Sequence, residues 1–167
     1  MTLILGITAV VALPMLSSSL DEARLSAAAS EVVTALEFAQ LTAATTGRET
    51  RVTIGDAQER IDVRQYKTTA DLFTGGDLLA AGDVEGGTYA FMQYPLKKGT
   101  DYLILLGDED RFQGVDITTS DFNPPGDNVV FDPLGTPSKG GSVTLALGGR
   151  QMVVTLDALT GKVTVTD

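Results

Sequence analysis

The sequence contains no cysteine, no histidine and no tryptophan. Without cysteine, disulfide bonds and thiolate metal sites are excluded. Without histidine, the most common general base and metal ligand are missing, together with all Ser-His and Cys-His mechanisms. The chain has 22 acidic against 12 basic side chains and a net charge of −10, which disfavours nucleic acid as a partner because phosphate binding requires clustered Lys and Arg. Composition therefore argues against an enzyme and against a DNA-binding protein.

The N-terminal segment, residues 2–16, is strongly apolar, and the first charged side chain is Asp21. A membrane-spanning helix needs roughly 20 apolar residues, and this run falls short of that length. Three interpretations remain open: part of a membrane and filament-core helix, a truncated secretory signal, or a core helix of a cytosolic protein. The signal-peptide interpretation lacks the basic residues that should precede the apolar run.

Residues 17–47 predict an amphipathic α-helix, because apolar side chains recur at helical spacing on one face. Ser19 and Glu22 fit a capping box, and Gly47 is placed to end the helix. A single helix running through Pro14 would be about 68 Å long at ~1.5 Å per residue. The apolar stripe, predicted to pack on a sheet, consists of Leu25, Ala29, Val32, Leu36, Ala39 and Ala43. The side chains off the stripe that are expected to face water are Arg24, Glu31, Glu37 and Gln40.

After the helix, the sequence alternates apolar and polar residues as β-strands do. Residues 50–55 and 59–66 predict a β-hairpin, and residues 67–87 predict a loop. Further strands are predicted at residues 88–94, 101–106 (a buried strand), 115–122, 128–132, 142–147, 151–156 and 162–166. Gly-containing turns separate the last four, which predicts an antiparallel meander. The predicted fold class is α+β, with an N-terminal helix over residues 1–47 and one antiparallel β domain over residues 48–167.

Candidate chemical sites are few. Asp108, Glu109 and Asp110 form a charged turn that could bind Ca²⁺, but they lack the spacing of a dedicated calcium loop, so a solvated turn is preferred. Lys162 follows a glycine, yet the other residues of a phosphate loop are missing. The acidic side chains of the predicted loop are also interpreted as solvated: Asp71, Asp77, Asp83 and Glu85. The sequence predicts no catalytic, cofactor or metal site, and we expect no enzyme.

Both ends of the sequence resemble a known family. "ILGITAVVALP" (residues 4–14) resembles the apolar N-terminal helix of type IV pilins and type II secretion pseudopilins, with a Gly midway and an "ALP" ending. Residues 23–54 resemble the amphipathic half of that helix in the GspH/FimT group, and residues 129–165 are similar to the group's ending. The residues that match this pattern are Arg24-Leu25, Ala28-Ala29, Ala35-Leu36, Ala39, Gly47 and Val52. The resemblance implies a pilin-like fold, one long helix packed on an antiparallel β-sheet domain.

The resemblance also implies a function. It makes the chain a minor pseudopilin or minor pilin that assembles non-covalently into a type II secretion pseudopilus or a type IV pilus, at the tip or in initiation. The implied partners are other pilin or pseudopilin subunits, an inner-membrane assembly platform, a prepilin peptidase and the membrane itself. The implied location is the bacterial inner membrane, single-pass, with the β domain in the periplasm. The residues implied for the membrane and filament-core helix are Leu3, Ile4, Leu5, Gly6, Ile7, Val10, Val11, Leu13 and Pro14.

The N-terminus departs from the family pattern. It shows no basic leader, no Phe-like first residue and no Glu before Glu22, and Leu5 stands where the family has its Glu. We therefore expect the front of the mature helix to be missing from this sequence, and we assign cleavage and methylation to no residue. The alternative function is an exported, soluble, β-rich binding module with a truncated signal peptide. A local basic patch is the remaining candidate for DNA contact: Arg48, Arg51, Arg60 and Arg64.

Overall fold

A computed structural model describes residues 2–67, 89–122 and 127–167, with side chains from residue 19 onward. The chain starts with one α-helix, α1 (Thr2–Thr46), of 45 residues. The helix runs through Pro14, as the single-helix expectation requires. The predicted capping box is wrong, because Ser19 and Glu22 lie inside this continuous helix.

Helix α1 ends where the sequence predicts. Gly47 has a φ of 66°, in the left-handed region. Its N–H donates to the carbonyl oxygen of Ala43 at 2.9 Å. A glycine in this conformation satisfies a terminal helical carbonyl without the steric strain that a Cβ would add.

The described part of the chain after α1 contains nine strands and two short 3₁₀ helices. The strands are β1 (Thr50–Gly55), β2 (Arg60–Tyr66), β3 (Tyr89–Phe91), β4 (Leu103–Leu105), β5 (Asp116–Asp121), β6 (Asn128–Phe131), β7 (Gly141–Leu147), β8 (Arg150–Leu156) and β9 (Val163–Thr166). The 3₁₀ helices, Leu106–Asp108 and Asp110–Phe112, occupy the predicted charged turn. Strand β4 is shorter than predicted and is not buried throughout, because only Ile104 of its three residues is buried.

The strands form two antiparallel sheets. In the first sheet the order is β3-β2-β1-β6, and β2 pairs with β4 through residues other than those that pair with β3. In the second sheet the order is β5-β7-β8-β9. The predicted four-strand meander is therefore wrong for β6, which pairs with β1 through Thr50↔Phe131 and Thr53↔Asn128. Strands β7, β8 and β9 do form a meander. Sequence spacing shows that a strand exists, whereas its partner depends on contacts far along the chain.

Helix α1 packs against both sheets, with contacts to β1, β2 and β6 of the first and to β7, β8 and β9 of the second. The helix and the two sheets contribute to one buried cluster. Removing this apolar surface from water is the main stabilising contribution. The predicted fold, an N-terminal helix packed on antiparallel β structure, is confirmed, with two sheets in place of one. The acidic residues predicted within residues 67–87 lie outside the described residues.

Candidate assembly surface

The predicted apolar stripe lies on the buried side of α1. Its six residues, Leu25, Ala29, Val32, Leu36, Ala39 and Ala43, are each at most 2% exposed. Ala28 and Ala35, which the stripe did not include, are fully buried as well and widen this face. Because the chain's own sheets contact this side of α1, a neighbouring molecule would have to bind on the remaining sides of the helix.

Glu31 is buried, so the expectation that it faces water is wrong. Its carboxylate is 6% exposed and accepts hydrogen bonds from the hydroxyls of Tyr94 and Tyr102, each at 3.3 Å. The guanidinium of Arg111 pairs with the same carboxylate at 3.4 Å. A buried carboxylate requires such partners to offset its lost hydration. The tyrosines lie 63 and 71 positions further along the chain, so no local pattern could have indicated them.

The Glu31 cluster, comprising Glu31, Tyr94, Tyr102 and Arg111, attaches α1 to the segments around β4. Burial and then the charge of Glu31 raise the pKa of Tyr102, so its hydroxyl stays protonated and can donate. Arg111 also donates to Glu109 at 2.6 Å. The cluster therefore holds α1 against the segments around β4. The polar groups of its members form hydrogen bonds and an ion pair with one another.

Gln40 is half-buried between two turns, although the sequence predicts that it faces water. Its side-chain amide donates to the carbonyl oxygen of Gly135 at 3.1 Å. A Cβ at Gly135 would lie 3.3 Å from the backbone oxygen of Gln40, and one at Gly161 would collide with its side-chain amide. Both glycines have positive φ, 81° and 67°. Their missing side chains let both turns approach this part of α1.

Each of these two turns is built around an aspartate and presents a leucine. Asp132 Oδ1 accepts hydrogen bonds from the N–H of Leu134 at 2.9 Å, and Asp157 Oδ1 accepts one from the N–H of Leu159 at 3.0 Å. Hydrogen bonds from Thr160 lower the pKa of Asp157, because they favour the charged form. The two leucines are 85% and 87% exposed. Exposed apolar groups of this size are typical of interaction surfaces when they lie together.

Three arginines of the predicted basic patch, Arg51, Arg60 and Arg64, share one face of the first sheet, as their register and strand alternation require. The fully buried carboxylate of Asp62 lies between two of them, 3.0 Å from Arg64 Nε and 3.1 Å from Arg60 Nε. Burial raises the pKa of Asp62, although both arginines act in the opposite direction. The second of these ion pairs lacks hydrogen-bond geometry. Asp62 thus offsets part of the positive charge on which DNA contact would depend.

Aromatic rings also contact these cations. The guanidinium of Arg51 lies 3.8 Å from the ring centroid of Tyr89, and that of Arg64 lies 4.2 Å from the centroid of Phe91. Such cation–π contacts stabilise the pair and hold the charged group against the sheet. Arg51, Arg60 and Arg64 therefore each contact an acidic or aromatic side chain of the same chain.

Two further predictions concern a metal ion and the membrane. Within the described ranges, no group of three or more acidic side chains could hold a metal ion. The side chains predicted for the membrane and filament core, between Leu3 and Pro14, lie outside the described ones, although their backbone is helical. Among the residues whose side chains the structure describes, no helix is long and apolar enough to cross a membrane.

Comparisons with known proteins agree with the fold. Residues 28–160 match the family model described as type II transport protein GspH. The minor pseudopilin EpsH from the type 2 secretion system of Vibrio cholerae is similar, with a TM-score of 0.59 at 12% identity, covering 86% of this chain and 96% of that chain. A second EpsH structure gives 0.54 at 15% identity, covering 87% and 93%. The type IV minor pilin FimU of Pseudomonas aeruginosa gives 0.49 at 14%, covering 86% and 88%. No curated protein matches the sequence.

Proposed function

Because the chain belongs to the GspH family of type II transport proteins and is a pilin-like structural subunit, we propose that it acts as a minor pseudopilin. It assembles non-covalently with other pilin-like subunits into a secretion pseudopilus or a related pilus. The observation that carries this proposal is the 45-residue helix α1, on whose C-terminal half both sheets pack. A protein built this way has one long helix available for packing between subunits.

The N-terminal part of α1 supplies the membrane and filament-core contact in this proposal. The first buried apolar side chain in the described part of the helix is Leu25. The residues before it include the apolar segment 2–16, which we propose enters the inner membrane before assembly and packs with neighbouring helices afterwards. The β domain lies in the periplasm, a prepilin peptidase acts on the full-length precursor, and the subunit assembles at an inner-membrane platform.

Exposed leucines support a second set of subunit contacts. Leu20 and Leu41, on α1, are 54% and 64% exposed. Leu134 and Leu159, on the turns that contact Gln40, are more exposed still. We propose that these side chains become buried against neighbouring subunits, since burial of a leucine stabilises a contact by about 1.5–3 kcal/mol. As a minor subunit, the chain acts at the tip or in initiation.

Fractionation of cells that express the full-length gene product tests the membrane step. We expect the protein in the membrane fraction, resistant to an alkaline wash. Recovery in the soluble fraction alone would contradict the proposal and favour the exported binding module.

Single-cysteine crosslinking tests the assembly step, because the native chain has no cysteine that would compete. Leu41→Cys, labelled with a photoactivatable maleimide in cells that contain the other secretion subunits, should yield adducts with those subunits. Leu96→Cys is the matched control, because Leu96 is 77% exposed but lies in the turn after β3 and is not part of α1. Equal yields from both positions, or none from Leu41→Cys, would contradict a contact along the helix.

A gold-labelled maleimide on Leu96→Cys locates the subunit in assembled filaments. Label at one filament end is the expected result for a tip subunit. Label along the whole shaft would show that the subunit is not confined to the tip.

A further inference from the structure

Within the described ranges, the second sheet ends at an open strand edge, β9. Strand β9 pairs with β8 and with no other strand that the structure describes. The N–H of Asp157 donates to the carbonyl oxygen of Lys162 at 3.0 Å, which identifies their pair as a hydrogen-bonded one. Antiparallel ladders alternate hydrogen-bonded and non-hydrogen-bonded pairs. The backbone groups of Thr164 therefore point toward β8, and those of Val165 point away from it, at the open edge.

The inner face of this edge is incompletely covered. Val165 lies opposite Val154 of β8, so both side chains lie on the same face of the sheet. Val154 is 1% exposed, whereas Val165 is 45% exposed. Beside Val165, a groove of about 400 Å³ lies between the edge and α1, with Ala29, Val33 and Met152 among its lining residues. The groove has the position for the side chains of one further strand, and its lining combines these apolar residues with the hydroxyl side chains of Ser26, Ser30 and Thr34.

The groove continues to an acidic end. Met152 also lines a second cavity, of about 310 Å³, whose other lining residues include Glu22, Arg150 and Asp167. Glu22 and Arg150 pair at 2.5 Å and offset each other's charge. Asp21 also lies at this end, against the turn between β7 and β8, where its Oδ2 would be 2.9 Å from a Cβ at Gly148. The carboxylates of Asp21 and Asp167 remain, and they favour a positively charged group on a ligand at this end of the groove.

We propose that this groove binds an extended segment of another polypeptide, which adds a strand beside β9. The outward N–H and C=O groups of Val163 and Val165 supply the backbone hydrogen bonds. Alternate apolar side chains of the segment lie over Val33 and Met152, and a Lys or Arg lies at the acidic end, near Asp167. The site uses the β9 edge and does not require filament assembly through α1, so either proposal can fail without the other.

Fluorescence anisotropy tests this site on the full chain, kept in solution with a mild non-ionic detergent. The probe is a labelled eight-residue peptide in which valine and serine alternate and two lysines stand at one end. Val165→Lys places a charge at the inner face of the edge and should weaken binding by at least about tenfold. Thr164→Lys adds the same charge on the opposite face, where the side chain is exposed, and should change binding by less than about twofold.

Further variants keep the outcome clear. Val165→Pro removes the outward N–H without touching the β8 ladder and should also weaken binding. Replacing the two lysines of the peptide by aspartates should weaken binding most strongly at low salt. Equal effects of the two lysine variants, with circular dichroism unchanged, would overturn the proposal. A dimer of the native chain that Val165→Lys dissociates would also overturn it, because the occupant would then be a second copy.

Discussion

At the scale of single residues, one buried carboxylate determines how α1 meets the segments around β4. Glu31 accepts two tyrosine hydroxyls and pairs with one guanidinium. Removing one partner from such a buried network lowers the stability of a protein more than removing an exposed charge does. The groups that remain stay buried without an acceptor.

Replacing Glu31 should therefore destabilise the protein. We expect Glu31→Ala to lower the free energy of unfolding by roughly 1–3 kcal/mol, because Tyr94 and Tyr102 lose their acceptor. Glu37→Ala, at an exposed position of the same helix, should change it by no more than about 0.5 kcal/mol. Urea denaturation measures both values. Equal effects would show that the Glu31 contacts contribute nothing beyond helix propensity.

A second carboxylate, Glu59, makes stability depend on pH. Its pKa is raised above the ordinary 4.5, chiefly by burial and then by a hydrogen bond to, and repulsion from, Asp116. A raised pKa means that the folded state binds the proton more tightly than the unfolded state does. The resulting stabilisation is present below pH 4.5 and is lost as the pH rises through the folded-state pKa.

Asp116→Asn should consequently raise the melting temperature at neutral pH, because it removes the repulsion that the ionised Glu59 experiences. The gain should shrink as the pH falls from neutral through the raised pKa of Glu59, because that carboxyl of the native protein then becomes protonated. Asp110→Asn is the control, since Asp110 is exposed. Differential scanning fluorimetry over this pH range measures the difference. A gain that is independent of pH would rule out the carboxylate pair as its cause.

The sequence was a poor guide to individual polar residues. Four side chains off the apolar stripe were expected to face water, and Glu37 does. Glu31 is buried and Gln40 is half-buried, whereas Arg24 stays partly exposed and hydrogen-bonds Gln113 at 3.4 Å. Their partners come from distant segments, and a helical period records only which face of the helix a residue occupies.

At the scale of elements, the sequence was a better guide. The end of α1 at Gly47 and the extent of β1 follow from a left-handed glycine and from strict alternation. The capping box was wrong because its pattern is local, whereas a helix already formed upstream propagates through it. The partner of β6 was wrong because pairing with β1 joins residues about eighty positions apart.

The contact between β5 and β7 supplies a test at this scale. A Cβ at Gly141 would lie 2.7 Å from the Cα of Phe122 and would collide with the backbone oxygen of Asp121. We expect Gly141→Ala to separate the end of β5 from β7 and to cost at least about 2 kcal/mol. Ser142→Ala, the next residue of β7, should cost much less. Chemical denaturation compares them, and similar costs would mean that the strands can shift without loss.

At the scale of the whole molecule, α1 joins two sheets that have no strand in common among those the structure describes. Both sheets contribute to one buried cluster with the helix. Because the apolar surface of α1 is common to them, neither sheet can lose its contacts with α1 without exposing part of the other's core. We expect the β domain to unfold in one transition, as small single domains usually do.

The four tyrosines of the chain lie at residues 66, 89, 94 and 102, in or beside the first sheet, so tyrosine emission reports on that sheet. Val154→Ala removes buried side-chain volume from the second sheet. It should nevertheless lower the urea midpoint detected by tyrosine emission, as well as the one detected by circular dichroism. Leu96→Ala, at an exposed site, is the control. An unchanged tyrosine midpoint in Val154→Ala would show that the sheets unfold separately.

The continuity of α1 through Pro14 into the buried stripe has a mechanical consequence. A force applied to the N-terminal end of the helix acts along its axis, and the sheets pack against the same helix from Leu25 onward. The side-chain contacts between helix and sheets are then loaded together, in shear, and do not peel apart one after another. Tension applied at one end of the molecule is thereby shared across the whole helix–sheet contact.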